Sequence, residues 1–247
     1  PAPYWVSYSA IADLAEGKSI EIPTTIDTNF KITAAELEKH ITPKTKLIIF
    51  SSPCNPTGAV YSFDEMKSLA EMLVRHPNVF VICDEIYSEL TYDGTRQVSM
   101  ASLPGMWERT MTISGFSKAF AMTGFRLGYL CAPQAFVAAA AKIHQYTIMC
   151  ASRQSQVAAW YALKHSRETG YEDVIRMRES YNQRRRLMLK AFRDMGLECF
   201  EPRGAFYTFP SIKKTGLSSE AFCEKLLKDK AVICVPGSAF GQSGEGH

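Results

Sequence analysis

The chain has 247 residues, 46% of them hydrophobic, and a formal net charge of +3. That length supports one large or two modest domains with a sizeable core. So small and evenly spread a charge gives no electrostatic footing for a nucleic-acid partner, and no apolar run is long enough to cross a bilayer. The seven cysteines lack C-x-x-C pairing, which speaks against a disulfide framework or zinc ribbon and for a reducing, cytoplasmic setting. Cys83 and Cys234 sit inside apolar runs, where they are expected to pack as small hydrophobes. His40, His76, His144 and His165 lack ligand spacing, so no metal site is expected. Pro1 at one end and the glycine-rich Gly241 to His247 at the other read as the ends of a piece of a longer chain.

Short apolar runs alternate with longer helical patterns, which predicts an α/β fold around a mainly parallel sheet. Lys46 to Phe50 reads as a buried strand, followed by the turn-rich Ser51-Ser-Pro-Cys-Asn-Pro-Thr-Gly58. Ser62 and Glu65 have capping-box spacing and start a helix that is expected to run to about Arg75, before Pro77. Asn78 to Cys83, Arg109 to Ser114 and Arg126 to Cys131 read as further strands. Gln134 to about His165 reads as two alanine-rich helices broken near Cys150 to Ser152. Tyr171 to Met195 is expected to be one long helix, with Arg184, Arg185 and Arg186 on its solvated face. Beyond Gly196 the pattern predicts strands at Leu197 to Glu201, Ala205 to Phe209 and Ala231 to Val235, and a helix near Ser219 to Leu227. A domain boundary is expected inside the long helix, giving units of residues 1–180 and 181–247.

Three of the expected strands end in chemistry-bearing residues. Asn55 and Pro56 follow the first, Asp84, Glu85 and Tyr87 follow the second, and Lys118 lies just beyond the third. In open α/β sheets ligands bind outside the carboxyl ends of the strands. If these strands are parallel neighbours, a carboxylate, a phenol, an amide and a lysine meet in one crevice. Read singly, Asp84 could instead cap a helix, and Asn55-Pro-Thr-Gly58 could be an ordinary turn.

Gly115-Phe-Ser-Lys-Ala-Phe-Ala-Met-Thr-Gly-Phe-Arg-Leu-Gly128 resembles the pyridoxal-phosphate attachment signature of class-I/II aminotransferases. Asn55-Pro-Thr-Gly58 and Asp84-Glu-Ile-Tyr87 resemble two further cofactor motifs of that family, in family order. Pro3-Tyr-Trp-Val-Ser-Tyr8 and Gly204-Ala-Phe-Tyr207 are similar to flanking motifs of its aspartate aminotransferase-like branch.

The resemblance implies a three-layer α/β/α large domain of fold type I and part of a smaller α+β domain. It implies that Lys118 forms the Schiff base with the cofactor aldehyde and later carries a proton at the substrate Cα. Asp84 would hold the pyridine nitrogen protonated, Tyr87 and Asn55 would bond the phenolic oxygen, and Arg126 would clamp the phosphate. Trp5 would lie against the ring, and Trp5 and Asn55 would also meet the substrate. Ser114 and Ser117 both remain candidates for a phosphate contact. The Asn55–Pro56 bond is expected to be cis, as in the family. The implied activity is transfer of an amino group between aspartate or a similar amino acid and a 2-oxo acid such as 2-oxoglutarate, by a homodimer. A carbon–sulfur lyase or synthase, or a regulatory module that keeps an aminotransferase-like domain, would use the same scaffold. The family's substrate-carboxylate arginine and phosphate-binding turn would lie outside these residues, so the 247 residues alone are expected to be inactive or severely impaired.

Overall fold

Four apolar runs pair into one sheet in the computed structural model, which describes residues 1–247. They are β1 (Leu47–Ser51), β2 (Phe80–Asp84), β3 (Thr110–Gly115) and β4 (Gly128–Cys131), in that spatial order. β1, β2 and β3 are parallel, whereas β4 returns antiparallel to β3. The sheet is therefore mainly parallel, as the alternating pattern predicts. β4 starts two residues later than expected because Arg126 has a left-handed backbone (φ 52°), which ends a turn and cannot continue a ladder.

One face of the sheet is closed by α2 (Ala34–His40) and α3 (Phe63–Val74), after α1 (Ser7–Leu14) near the start of the chain. Ile48, Phe50, Val81 and Cys83 alternate onto this face and pack on Met66, Leu69, Ala70 and Leu73 of α3. The capping box forms as expected: Ser62 N–H donates to Glu65 Oε2 at 2.7 Å and Glu65 N–H to Ser62 Oγ at 3.3 Å. The opposite face carries Phe80, Ile82 and Asp84, and there Phe136 of α4 (Gln134–Thr147) meets Phe80 with ring centroids 5.1 Å apart. This gives the helix–sheet–helix layering. α5 (Arg153–Glu168) and α6 (Glu172–Asp194) follow, separated by left-handed Gly170 and Tyr171.

The expected strands at 197–201, 205–209 and 231–235 do not form; only single bridges join Cys199 to Pro210 and Thr91 to Gly204. Pro202 and Pro210 offer no N–H, and left-handed Ala205 (φ 57°) breaks the extended run. Residues 231–235 follow α7 (Ser219–Lys230), whose end is set by left-handed Ala231. No neighbouring strand pairs with them, and Val232, Ile233 and Val235 stay exposed. Cys234 is exposed for the same reason, contrary to expectation, whereas Cys83 is fully buried. Apolar clusters cross residue 180: Phe209 packs with Phe30, Cys54 and Ala59, and Ala205 with Tyr87 and Leu90.

Two glycines bring the later segment onto the turn after β1. Arg203 and Gly204 N–H both donate to Gly58 O, at 2.9 and 3.0 Å. A Cβ on Gly204 would lie 2.5 Å from Pro53 Cβ and 2.9 Å from Val60 Cγ2, and Gly58 has φ +72° against Pro202. Gly204→Ala is expected to destabilise the whole protein by roughly 1–3 kcal/mol, the usual cost of overpacking. The check is a lower denaturant midpoint at unchanged slope.

Candidate active site

The parallel register lines up the strand ends: Ser51 pairs with Asp84, and Asp84 with Ile113. Asp84 is thus the last residue of the middle strand, flanked by the turn bearing Asn55 and by the loop leading from β3 to Lys118. Its Oδ2 accepts from the Tyr8 hydroxyl at 2.8 Å and its Oδ1 from Ile86 N–H at 3.1 Å. No lysine, arginine or histidine pairs with it. Burial pushes its carboxyl above the usual carboxylate range, and the two hydrogen bonds oppose that shift. Glu85 turns the other way, into a buried position where one carboxylate oxygen has no partner.

Tyr87 and Asn55 converge on the same space. Asn55 Nδ2 donates to Tyr207 Oη at 3.3 Å, and the Tyr87 and Tyr207 hydroxyls are 2.5 Å apart. Lys118 Nζ lies over two rings, 5.5 Å from the Tyr87 centroid and 5.1 Å from that of Phe206. Burial first, and the nearby Arg126 cation second, lower the Lys118 pKa, favouring a neutral, nucleophilic amine. Gly115 allows the close return that makes this loop: a Cβ there would sit 2.9 Å from Gly128 Cα across the β3–β4 pair.

The other expected site residues are less engaged. Trp5 is 39% exposed and touches the site through Tyr8, its ring edge-on at 5.6 Å. Arg126 is exposed, and its guanidinium donates to Thr123 O at 2.9 Å within its own turn. Ser114 is buried and donates to Glu85 O at 3.3 Å, whereas Ser117 is half-buried. The Asn55–Pro56 bond is cis, as are Ala2–Pro3 and Ser52–Pro53.

The description "Aminotransferase class I and II" matches residues 1–246. The chain belongs to that family. These aminotransferases depend on pyridoxal phosphate. The Bacillus subtilis protein YugH is 52% identical over 247 residues, all of this chain and 62% of that one. The aspartate aminotransferase of Pyrococcus abyssi is 44% identical over all of this chain and 63% of its own length. Among solved structures, the aromatic aminotransferase of Pyrococcus horikoshii superposes with a TM-score of 0.95 at 45% identity, over 100% of this chain and 65% of that one. The chain therefore spans less than two thirds of the length of these relatives.

Tyr8, Phe206 and Tyr207 were not singled out as site residues by the sequence. Tyr8 and Tyr207 stand in two of the family motifs, but their roles depend on contacts 76 and 120 residues away in the chain.

The half-buried carboxyl of Asp84 has a stability consequence. Its folded pKa is raised, so the stability that the group contributes is present at low pH and lost as pH rises through the folded value. In the cofactor-free whole protein, Asp84→Asn is expected to raise the denaturant midpoint at pH 7. The gain should shrink as pH falls into the carboxylate range. Denaturant titrations at several pH values check both the sign and the trend.

Proposed function

We propose that the whole protein is a pyridoxal-phosphate-dependent aminotransferase that moves an amino group between aspartate or a similar amino acid and a 2-oxo acid such as 2-oxoglutarate. The reading is carried by Asp84, a half-buried carboxylate with no protein cation, at the end of the strand next to the one that leads to Lys118. When bound, pyridoxal phosphate supplies an aldehyde that accepts amines and a ring that draws electrons from the substrate Cα. The donor set suits such a group. Asp84 provides the counter-charge that keeps a ring nitrogen protonated, and Tyr8 holds the Asp84 carboxylate in place. Asn55 and Tyr87 present an amide N–H and a phenolic O–H to the ring's phenolic oxygen. Lys118 would hold the aldehyde through its amine, and the free amine would carry the proton at the substrate Cα. Arg126 spends one N–H on Thr123 O and keeps the rest of its planar fork for the phosphate. Ser117 is freer than Ser114 to assist. Trp5 would lie against the ring, and with Asn55 it would border the substrate.

We assign residues 1–180 to the cofactor-binding domain and 181–247 to the smaller one, and infer a cytoplasmic homodimer. A reducing location is supported by seven free cysteines. An interface is supported by exposed apolar side chains such as Tyr146, at 89%, and Met149, at 80%. No helix is long and apolar enough to cross a membrane.

The test is reductive trapping. The whole protein with pyridoxal phosphate and borohydride is expected to yield a pyridoxyl adduct on the Lys118 peptide by mass spectrometry, and none there in Lys118→Ala. That variant should lose roughly 10²–10⁴-fold in transamination rate, the usual share of a general acid–base group. Because its pKa is lowered, Lys118 should be trapped efficiently at pH values where an exposed lysine is still protonated. An assay with aspartate and 2-oxoglutarate should form glutamate; release of pyruvate with ammonia or sulfide instead would favour a lyase. An adduct on another lysine would overturn the assignment.

A further inference from the structure

The sequence places Arg184, Arg185 and Arg186 together on a solvated helix face, but Arg185 is only 6% exposed. The α-helical period explains the difference. α6 buries Val174, Asn182, Arg185 and Phe192, and Arg185 stands three residues after Asn182 on that buried side. Arg184 remains over the Tyr181 ring, and Arg186 reaches Asp93 from the surface at 3.1 Å.

Every edge of the Arg185 guanidinium is used. Nε donates to Asn182 Oδ1 at 3.0 Å, and Nη1 to Pro202 O at 2.9 Å and to Glu201 Oε1 at 3.3 Å. Nη2 donates to Asp93 Oδ2, and the planar group lies 5.1 Å from the Tyr92 ring centroid. Arg203 adds a third cation to Asp93 at 3.3 Å. Asp93 has a left-handed backbone (φ 53°), so the loop that carries it is bent to present this carboxylate.

The cluster joins α6, the loop 90–93 after β2 and the segment 201–205. The Tyr92 hydroxyl donates to Ala205 O, Tyr92 N–H to Arg203 O at 2.9 Å, and Ala205 N–H to Leu90 O at 2.8 Å. The next two residues are Phe206, whose ring covers Lys118 Nζ, and Tyr207, whose hydroxyl accepts from the Asn55 amide and meets the Tyr87 hydroxyl. A buried arginine held by carboxylates on two segments and a backbone carbonyl is rigid, and removing one partner of such a group disturbs the rest.

We propose that Arg185, held by Asp93, is a positioning residue that seats Phe206 over Lys118 and Tyr207 against Tyr87, the other ring under the lysine amine, and so fixes that amine for reaction. It touches neither cofactor nor substrate and acts through Pro202, Tyr92 and Ala205. This inference rests on the function proposed above and assigns that site a remote support. Lysine cannot replace the fork: its ammonium can satisfy Asp93 or Pro202 O but lacks the plane that lies on Tyr92.

The experiment is a double-mutant cycle in the whole protein with pyridoxal phosphate, using Arg185→Lys and Tyr207→Phe, with rates expressed per mole of borohydride-trapped Lys118. That normalisation removes any unfolded fraction. Arg185→Lys alone is expected to lower kcat by roughly 10–100-fold, the scale of a small misplacement at a reacting group, with KM changed much less. In the double variant the losses should be strongly sub-additive, because both substitutions disturb one seat. Asp93→Asn, at a partly exposed carboxylate, should repeat the kcat effect more weakly and serves if Arg185→Lys does not fold. Full additivity, or a normalised kcat unchanged in the single variants, would overturn the positioning role. Failure of the wild-type protein to trap pyridoxal phosphate at Lys118 would instead overturn the underlying function.

Discussion

A carboxylate drawn partly out of water without a cation is a costly feature for a fold, and Asp84 is such a group. Parallel pairing of three strands puts it at the end of the middle one, with a neighbouring strand on each side. Two neutral donors, the Tyr8 hydroxyl and Ile86 N–H, stabilise it without cancelling its charge. The geometry around it follows from that constraint. The amide of Asn55, the phenol of Tyr87 and the amine of Lys118 all come from the strand ends that enclose Asp84.

The second requirement is close backbone approach. Gly58 and Gly204 let the late segment 203–207 lie on the turn after β1, and Gly115 and Gly128 let β4 return beside β3. The first contact delivers Phe206 to the lysine and Tyr207 to Asn55 and Tyr87; the second shapes the loop that carries the lysine. A methyl group at Gly58, Gly115 or Gly204 would meet backbone or proline atoms within 3 Å. Local steric permission thus decides whether residues more than a hundred positions apart can share one crevice.

Much of this was legible in the sequence, because the signals were local. β1, β2 and β3 fall within one or two residues of the apolar runs that predict them, and the Ser62–Glu65 box marks α3 correctly. Asp84, Asn55, Tyr87 and Lys118 stand at or after neighbouring strand ends, where the apolar runs before them place them. The errors share a different origin. An extended run such as 231–235 becomes a strand only if another chain segment pairs with it, and no pattern within five residues reports that. The run of three arginines predicts a solvated Arg185, although its carboxylate partners come from Asp93 and Glu201. Tyr8 and Tyr207 were quoted within motifs, but their hydroxyl partners lie far along the chain.

The central claim is that the Asp84 carboxylate and the Lys118 amine address one pyridine ring. Nitrogen NMR of the whole protein loaded with ring-labelled pyridoxal phosphate tests it most directly. The account requires a protonated ring nitrogen in the wild type at pH 7 and a deprotonated one in Asp84→Ala. The same nitrogen signal in both proteins would contradict it.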